Sequence, residues 1–418
     1  MWRSLFSLVA LGICATSGRA EETVAQPKLV SIDELVASAL AENPEIKFYE
    51  AEIAAAKGER HTAVAWANPE IAGELGGKRA VGDGLDASGV IWAATVQQTF
   101  EWPGRVSLRK AIADRRVKLA EQGLEQFRRS LAAAVRQKAL ALLAAQERQV
   151  AASEVARRGE ELVNTLFQRD PSGITPQLEG RAIEASVLQL KREEAEAAKA
   201  AQSALLELNQ LRGRMLAEPV RIAEPEMKFP ELPPINELLK RAVTGNFELL
   251  RQETELEQQG FQVRLAENER WPSITTGPTV EQEFAGEQET RAAMAVSLPL
   301  PLWNRNEGNI EAAKAREMQA QAALMVTQRD IERRIREAAT AYEMHRQEIL
   351  RWDPKIAEKL REAAELADRH YRLGAVPLST YLEVQSSYLA ALESIYATRA
   401  DALAALAELE LLTGSPIQ

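Results

Sequence analysis

The sequence predicts a mainly α-helical protein with a membrane β-barrel portion, built from two homologous halves that each run helix–strand–strand–long helix–helix. Three observations carry this. The chain repeats itself at a period of about 200 residues; each half holds two alternating segments of bilayer-crossing length; and each half then enters a helical stripe far too long for a compact domain.

The repeat is visible by direct alignment. Ile32-Asp33-Glu34-Leu35 through Asn43-Pro44-Glu45-Ile46 lines up with Ile235-Asn236-Glu237-Leu238 through Asn246-Phe247-Glu248-Leu249. Asn68-Pro69-Glu70-Ile71 falls on Trp271-Pro272-Ser273-Ile274, and Leu211-Arg212-Gly213 on Leu412-Thr413-Gly414. The expected organisation is a signal segment over 1–20, a first repeat over 21–216, a proline-bearing linker over 217–234 and a second repeat over 235–418.

The first twenty residues hold one early Arg, an apolar run from Leu5 to Cys14 and small residues ending at Ala20, the pattern of a secretory leader. Cys14 would offer a lipid attachment point, but Ile13 before it is not the small residue such a site favours. Cleavage after Ala20 would leave a chain without cysteine, so disulfides, thiolate chemistry and cysteine-based metal sites would go together.

Each half opens with a helix, expected over 32–66 and 235–270 and stopped by Pro69 and Pro272. Strands follow at about 69–79 and 89–102, with a glycine-rich loop from Gly76 to Gly89, and at about 272–284 and 291–303, with a shorter loop from Ala285 to Thr290. The last of these reads AAMAVSLPLPLW, apolar on alternate positions and marked by Pro299 and Pro301. Prolines suit a strand end, where no ladder donor is needed. The long helix of the second half is expected from Glu307 to Arg372, about 100 Å at 1.5 Å per residue, with Ile331, Ile335, Ala338, Tyr342, His345 and Ile349 in steps of four and three. Pro354 should kink it. Short breaks at 170–173 and 373–377 return each chain in a helix ending at Gly213 or Gly414.

Four strands cannot close a membrane barrel, and open edges in lipid strand backbone groups at several kcal/mol each. The sequence therefore demands shared closure: two chains would give eight strands and a filled lumen, three would give twelve and a solvated one. Trp92, Phe100, Trp102 and Trp303 stand where interfacial aromatic girdles would sit. A small soluble sheet packed on helices, as in a periplasmic coiled-coil adaptor, shares the hairpins but does not need strands of bilayer length.

Composition excludes other classes. A net charge of −10 and pI near 5.3 give no basic face for nucleic acid. No phosphate-cradling loop stands between a strand and a helix, and no nucleophile–His pair has a setting, so no catalytic residue or cofactor is assigned. His61, His345 and His370 have no ligand partner at helical spacing, so no metal site is assigned either.

Over about residues 30–415 the arrangement resembles the TolC-like outer membrane factor family. The local matches are Val296-Ser297-Leu298-Pro299-Leu300-Pro301-Leu302-Trp303-Asn304-Arg305-Asn306, Tyr371-Arg372-Leu373-Gly374 running into Tyr381-Leu382-Glu383-Val384-Gln385, and Leu411-Leu412-Thr413-Gly414. The first is most like the heavy-metal (cobalt–zinc–cadmium) resistance branch. The resemblance implies a homotrimer in the outer membrane of a Gram-negative bacterium, with a twelve-stranded barrel continuing into an α-helical periplasmic tunnel. It implies the exit duct of a tripartite efflux pump, partnered by a periplasmic adaptor and an inner-membrane pump and embedded in outer membrane lipid. Other branches of that family serve drugs and other organic compounds or type I secretion. It further implies adaptor contact at Ser172, Gly173 and Ile174 and at Leu373, Gly374 and Ala375, and an aperture gate at Tyr371 and Glu383. Thr380 stands where the family often has an aspartate, which weakens the case for an acidic ring.

Overall fold

The computed structural model describes residues 29–82, 85–167, 174–223, 227–284 and 287–417; the expected leader lies outside them. It forms two similar helical halves joined through one sheet. The first half contains α1 (Ile32–Glu42), α2 (Pro44–Val64), β2 (Glu70–Gly82), β3 (Leu85–Phe100), α3 (Arg105–Phe167) and α4 (Ile174–Arg212). Before them comes β1 (Leu29–Val30), and after them β4 (Arg221–Ile222), which pairs with it in parallel. The second half contains α5 (Ile235–Gly245), α6 (Phe247–Asn268), β5 (Ile274–Glu283), β6 (Glu289–Ser297), α7 (Glu307–Arg351), α8 (Ile356–Arg372) and α9 (Leu378–Thr413).

Four boundaries depart from the sequence expectation. The single opening helix of each half is two helices. At Asn43 and Asn246 the backbone leaves the helical region (φ −61°, ψ 123° and φ −77°, ψ 120°), and each Asn side chain accepts from a backbone N–H of the helix that follows. A short side-chain oxygen that caps the next helix is what breaks the run. The helix expected over 307–372 stops at Arg351 and restarts at Ile356, because Pro354 has no N–H to continue the ladder; Asp353 Oδ1 takes the Lys355 N–H instead, at 2.9 Å. The glycine-rich loop of the first hairpin is in fact ladder: Gly76 pairs with Ile91, Lys78 with Gly89 and Gly82 with Leu85. Conversely, β6 ends at Ser297 rather than 303. Pro299 and Pro301 remove two ladder donors, and the Leu302 N–H turns back to the Leu300 carbonyl at 2.9 Å.

The cores repeat as the sequence does. In the first half Leu35, Val135, Leu142 and Leu208 are fully buried; in the second Leu238, Ile335, Tyr342 and Leu409 are buried at equivalent positions. Each large side chain so buried contributes about 1.5–3 kcal/mol. A third core, including Val155, Leu190, Ala364 and Leu392, ties α3 and α4 to α8 and α9. The 217–234 linker is bolted to both halves. Asn209 donates to the Leu216 and Glu218 carbonyls and Gln146 to that of Val220, while Tyr342 and Arg346 of α7 donate to those of Pro230 and Phe229.

Candidate functional site

The strands form one antiparallel sheet in the order β2-β3-β5-β6, so β2 and β6 are its edges. Register fixes what each face carries, because side chains alternate. Ile71 lies opposite Val96, Leu75 opposite Trp92, Ala94 opposite Val280, Phe100 opposite Ile274, Thr276 opposite Val296 and Pro278 opposite Met294. That face is mostly apolar, with Gln98, Thr276 and Gln282 also on it, and open: Ile71 and Leu75 are more than 80 % exposed, and Met294 and Val296 about two-thirds. The other face carries Glu74, Lys78, Thr95, Gln97, Thr99, Thr275, Thr279, Glu281, Glu283 and Arg291. Its groups bond to one another across strands. Thr95 and Thr279 share a hydroxyl hydrogen bond at 2.8 Å, Thr99 and Thr275 another at 3.0 Å, and Lys78 pairs with Glu283.

An exposed apolar face backed by a bonded polar one is the pattern of a sheet with lipid outside and water inside. No described helix is long and apolar enough to cross a membrane, and the sheet is the element that carries this pattern.

The expected aromatics fall into three places. Phe100 and Trp102 stand at the helix-proximal end of β3, where Phe100 meets Trp66 edge-on at 6.1 Å and Trp102 stacks on Trp271 at 5.1 Å. Trp92 lies eight residues further along the strand, about 26 Å at the strand rise. Trp303 lies beyond the strand end and is 95 % exposed. Trp66 and Trp271 were missed by sequence reasoning, although Trp271 immediately precedes Pro272 and Trp66 lies three residues before Pro69 in the helix-to-strand connections.

Strand and helix meet in a joint built by arginine and asparagine. Arg105, at the start of α3, donates to Asn268 Oδ1, to Ser273 Oγ at 3.0 Å and to the Trp271 carbonyl at 2.7 Å. Arg109 one turn on reaches the Ala63 carbonyl at 3.0 Å and pairs with Glu101. Asn306, in the left-handed region at φ 63°, donates to the Ala266 carbonyl at 2.8 Å and so seats the start of α7 on α6. The planar guanidinium fork satisfies several carbonyls at once, which a flexible ammonium would not do. The Arg105 contacts join residues more than 150 positions apart, beyond any local sequence signal.

At the opposite end, α8 turns into α9. Gly374 takes φ 73°, the Gly374 N–H bonds the Tyr371 carbonyl and the Ala375 N–H bonds that of His370, both at 2.9 Å. Leu373, Gly374 and Ala375 are exposed, Leu373 by 75 %. Of the equivalent first-half residues, Ser172 and Gly173 lie outside the described residues, and Ile174 opens α4.

Behind this tip, Tyr371 stacks on buried Tyr381 with ring centres 5.3 Å apart. Burial raises the Tyr381 phenol well above its ordinary range, with Asp368 adding to the shift. Arg372 bridges Asp368 at 2.9 Å and Glu161 of α3 at 3.2 Å. Glu383 is exposed, whereas Tyr381 and Gln385 on either side of it are buried, and Gln385 donates to the Ala364 carbonyl at 2.9 Å. The structure thus places Tyr371 in a packed stack and Glu383 on a free face. Among the described residues no group of three His, Cys, Asp or Glu is placed to hold a metal ion.

The model of the outer membrane efflux protein family matches residues 35–214 and 238–415, one match per half. Among solved structures, the chain is similar to a membrane protein from Pseudomonas aeruginosa, at 21 % identity and TM-score 0.73 over 92 % of this chain and 90 % of that one. It is similar to the Campylobacter jejuni CmeC outer membrane channel at 17 % identity and TM-score 0.71, over 92 % and 85 % of the two chains. The open Neisseria gonorrhoeae MtrE outer membrane channel matches at 18 % identity and TM-score 0.71, over 92 % and 89 %. At these identities the likeness is one of fold. No curated protein sequence matches the chain.

Proposed function

The chain belongs to the outer membrane efflux protein family, and from that premise we propose that it is the passive exit duct of a tripartite pump of the resistance-nodulation-division type, carrying heavy-metal cations. The observation that supports a duct is the two-faced sheet with free edges at β2 and β6. In lipid those edges must pair, and the partner of known complementary shape is another copy. Three copies give twelve strands, enough for a solvated lumen lined by the threonine and charged face, with α2, α3, α6 and α7 continuing the wall into the periplasm.

The tip at Leu373, Gly374 and Ala375, with Ser172, Gly173 and Ile174 of the first repeat, is the surface offered to a periplasmic adaptor. Its glycine turn leaves Leu373 exposed, as an anchoring contact requires. Tyr371 and Glu383 are the aperture candidates. Tyr371 would act through its stack on Tyr381, and Glu383 through an exposed carboxylate. The metal cargo rests on the likeness of the 296–306 stretch to the heavy-metal branch. In this reading the chain conducts ions that the pump and adaptor have already selected.

Single-channel recording of protein purified from outer membranes tests the duct. Discrete, long-lived conductance steps are expected; a protein that fractionates as soluble and never conducts returns the reading to a coiled-coil adaptor. Growth of a deletion strain on zinc, cobalt or cadmium, against dyes and detergents, tests the cargo. Sensitivity to the organic compounds alone would move it to the drug-exporting branch.

A further inference from the structure

The two halves are alike in sequence but not in company. α6 lies between α3 on one side and α7 on the other, whereas its counterpart α2 packs chiefly on α3. Burial records the difference. Thr254 and Gln258 of α6 are buried, while Ala51 and Ala55 at the equivalent positions of α2 are exposed. Leu389 of α9 is buried in a core shared with Ala152 and Val155 of α3, while its counterpart Leu188 of α4 is two-thirds exposed. On the face that α3 covers in the second half, the first half stands bare.

One side chain defines what α3 supplies there. Arg129 donates to the Gly414 carbonyl at 2.6 Å, closing the C-terminal end of α9, and its guanidinium lies 4.5 Å from the Phe247 ring centre. The run Leu124, Arg129, Leu131, Val135, Arg136 recurs in α7 at the same spacing as Leu324, Arg329, Ile331, Ile335, Arg336. Arg329 is exposed, with no hydrogen bond or ion pair among the described residues. The acceptor recurs as well. Gly213 ends α4 at φ 66° as Gly414 ends α9 at φ 69°. It is exposed, its carbonyl receives no donor among the described residues, and Pro44, the counterpart of Phe247, lies against it. Further down, Arg148 of α3 pairs with Glu393 of α9 at 2.8 Å. Their counterparts are Glu348 of α7 and Arg192 of α4, the same pair with its signs exchanged. Within one chain α4 and α7 stand on opposite edges, α4 against α3 and α7 beyond α6 and α9.

We infer that a second copy of this chain supplies the missing helix: its α7 lies on α2 and α4, with Arg329 donating to the Gly213 carbonyl beside Pro44. An open carbonyl at a helix end and a guanidinium fork are complementary partners. The donor and acceptor edges are different surfaces, so copies join head to tail and close a ring, in continuity with the β2 and β6 edges. The inference rests on the reading of the chain as a multi-copy duct and specifies how its helices meet.

Cross-linking of the full chain in detergent tests the contact. Arg329→Cys combined with Pro44→Cys and treated with a short bismaleimide should give a ladder on denaturing gels that stops at the trimer. Arg316→Cys with Pro44→Cys, displaced by about 20 Å along α7, should give monomer only. Each single substitution should do the same, which also controls for Cys14. Sedimentation velocity gives a second readout. Arg329→Ala should raise the concentration at which the oligomer dissociates roughly tenfold, and Arg329→Lys, which keeps a donor, by less. A wild type that sediments as a monomer, as it would if a different protein covered this face, overturns both the multi-copy reading and this contact. An oligomer that neither cross-links through positions 329 and 44 nor weakens with Arg329→Ala overturns the contact alone and leaves the duct standing.

Discussion

The Asn246 side chain holds two helix ends together: its amide donates to the Leu412 carbonyl at 2.9 Å, while its oxygen accepts from the Leu249 N–H at 3.0 Å. Asn43 does the same in the first half, donating to Leu211 and accepting from Glu45, both at 2.8 Å. Each residue caps the second helix of its half and closes the last turn of the returning one. Replacing Asn246 with Ala loses a cap worth about 1 kcal/mol and strands a carbonyl at about 1–3 kcal/mol. A loss of about 2–4 kcal/mol is expected in thermal unfolding followed by circular dichroism, with Asn43→Ala similar and surface Thr244→Ala near neutral.

A second prediction concerns Gly277 in β5. A Cβ at this position would stand 1.8 Å from the Val96 carbonyl oxygen, so no side chain fits without parting β3 from β5. Gly277→Ala should deplete folded protein in the outer membrane, read as loss of the heat-modifiable band. Gly76→Ala, with 3.3 Å to the Ile91 Cγ2 methyl rather than to backbone, should lose less, and Gly73→Ala, at 3.9 Å, almost nothing. A flat response across the three would show that the close approach is not what glycine serves.

Neighbouring residues on β6 separate the two faces of the sheet. Lysine at Met294 would point a charge into hydrocarbon, at about 2–4 kcal/mol near the midplane. Lysine at Ala293, one residue away, joins the polar face and should be tolerated. Outer-membrane abundance of the two variants is the measurement. Equal abundance would remove the lipid-facing assignment.

Tyr342 gives a pH dependence. Burial pushes its phenol up to about 12, with Glu343 adding and Arg346 opposing, and the neutral hydroxyl donates to the Pro230 carbonyl at 2.7 Å. The unfolded phenol ionises near its ordinary value of about 10. Its stabilisation is therefore fully present below pH ~10 and is lost as pH rises toward 12, as the unfolded state ionises first. Tyr342→Phe should flatten this limb of a stability–pH curve while lowering stability at neutral pH by about 1 kcal/mol through the orphaned carbonyl. An alkaline limb unchanged by that substitution would assign it to Tyr381 or Tyr388, whose phenols burial also raises.

Much of this architecture was legible because it is written in periodicity. The duplicated Ile32 and Ile235 starts, the alternation through Trp92 and Val96, and the stripe through Ile331, Ile335 and Tyr342 all follow from spacing alone. The polar face of the sheet follows once register is known. What spacing could not reveal is long-range partnership. Asn43 and Asn246 look like ordinary polar positions within a helix until Leu211 and Leu412 arrive to accept their amides. Gly76–Gly82 looks like a loop because glycine carries no alternation, yet its backbone pairs as well as any other. Leu298–Trp303 alternates like a strand, but two missing donors outweigh the pattern. The tip was found from its glycine; the stack of Tyr371 on Tyr381 and the bridge from Arg372 to Glu161 needed α3 and α8 in place.

The linker that Tyr342 and Arg346 grip is a point at which the helices are held fast. Above it, arginine and asparagine clamps lock helices to sheet; at it, the carbonyls of Phe229 and Pro230 are tied to α7 and that of Val220 to α3. Below it, α7 runs to the break at Trp352–Lys355 and then α8 to the turn. The thirty-one residues from Tyr342 to Arg372 make an arm of at most about 45 Å at the helical rise, shortened by any bend at the 352–355 break. Geometry alone gives such an arm leverage: a turn of roughly 5° at the linker would displace the α8–α9 end by roughly 4 Å.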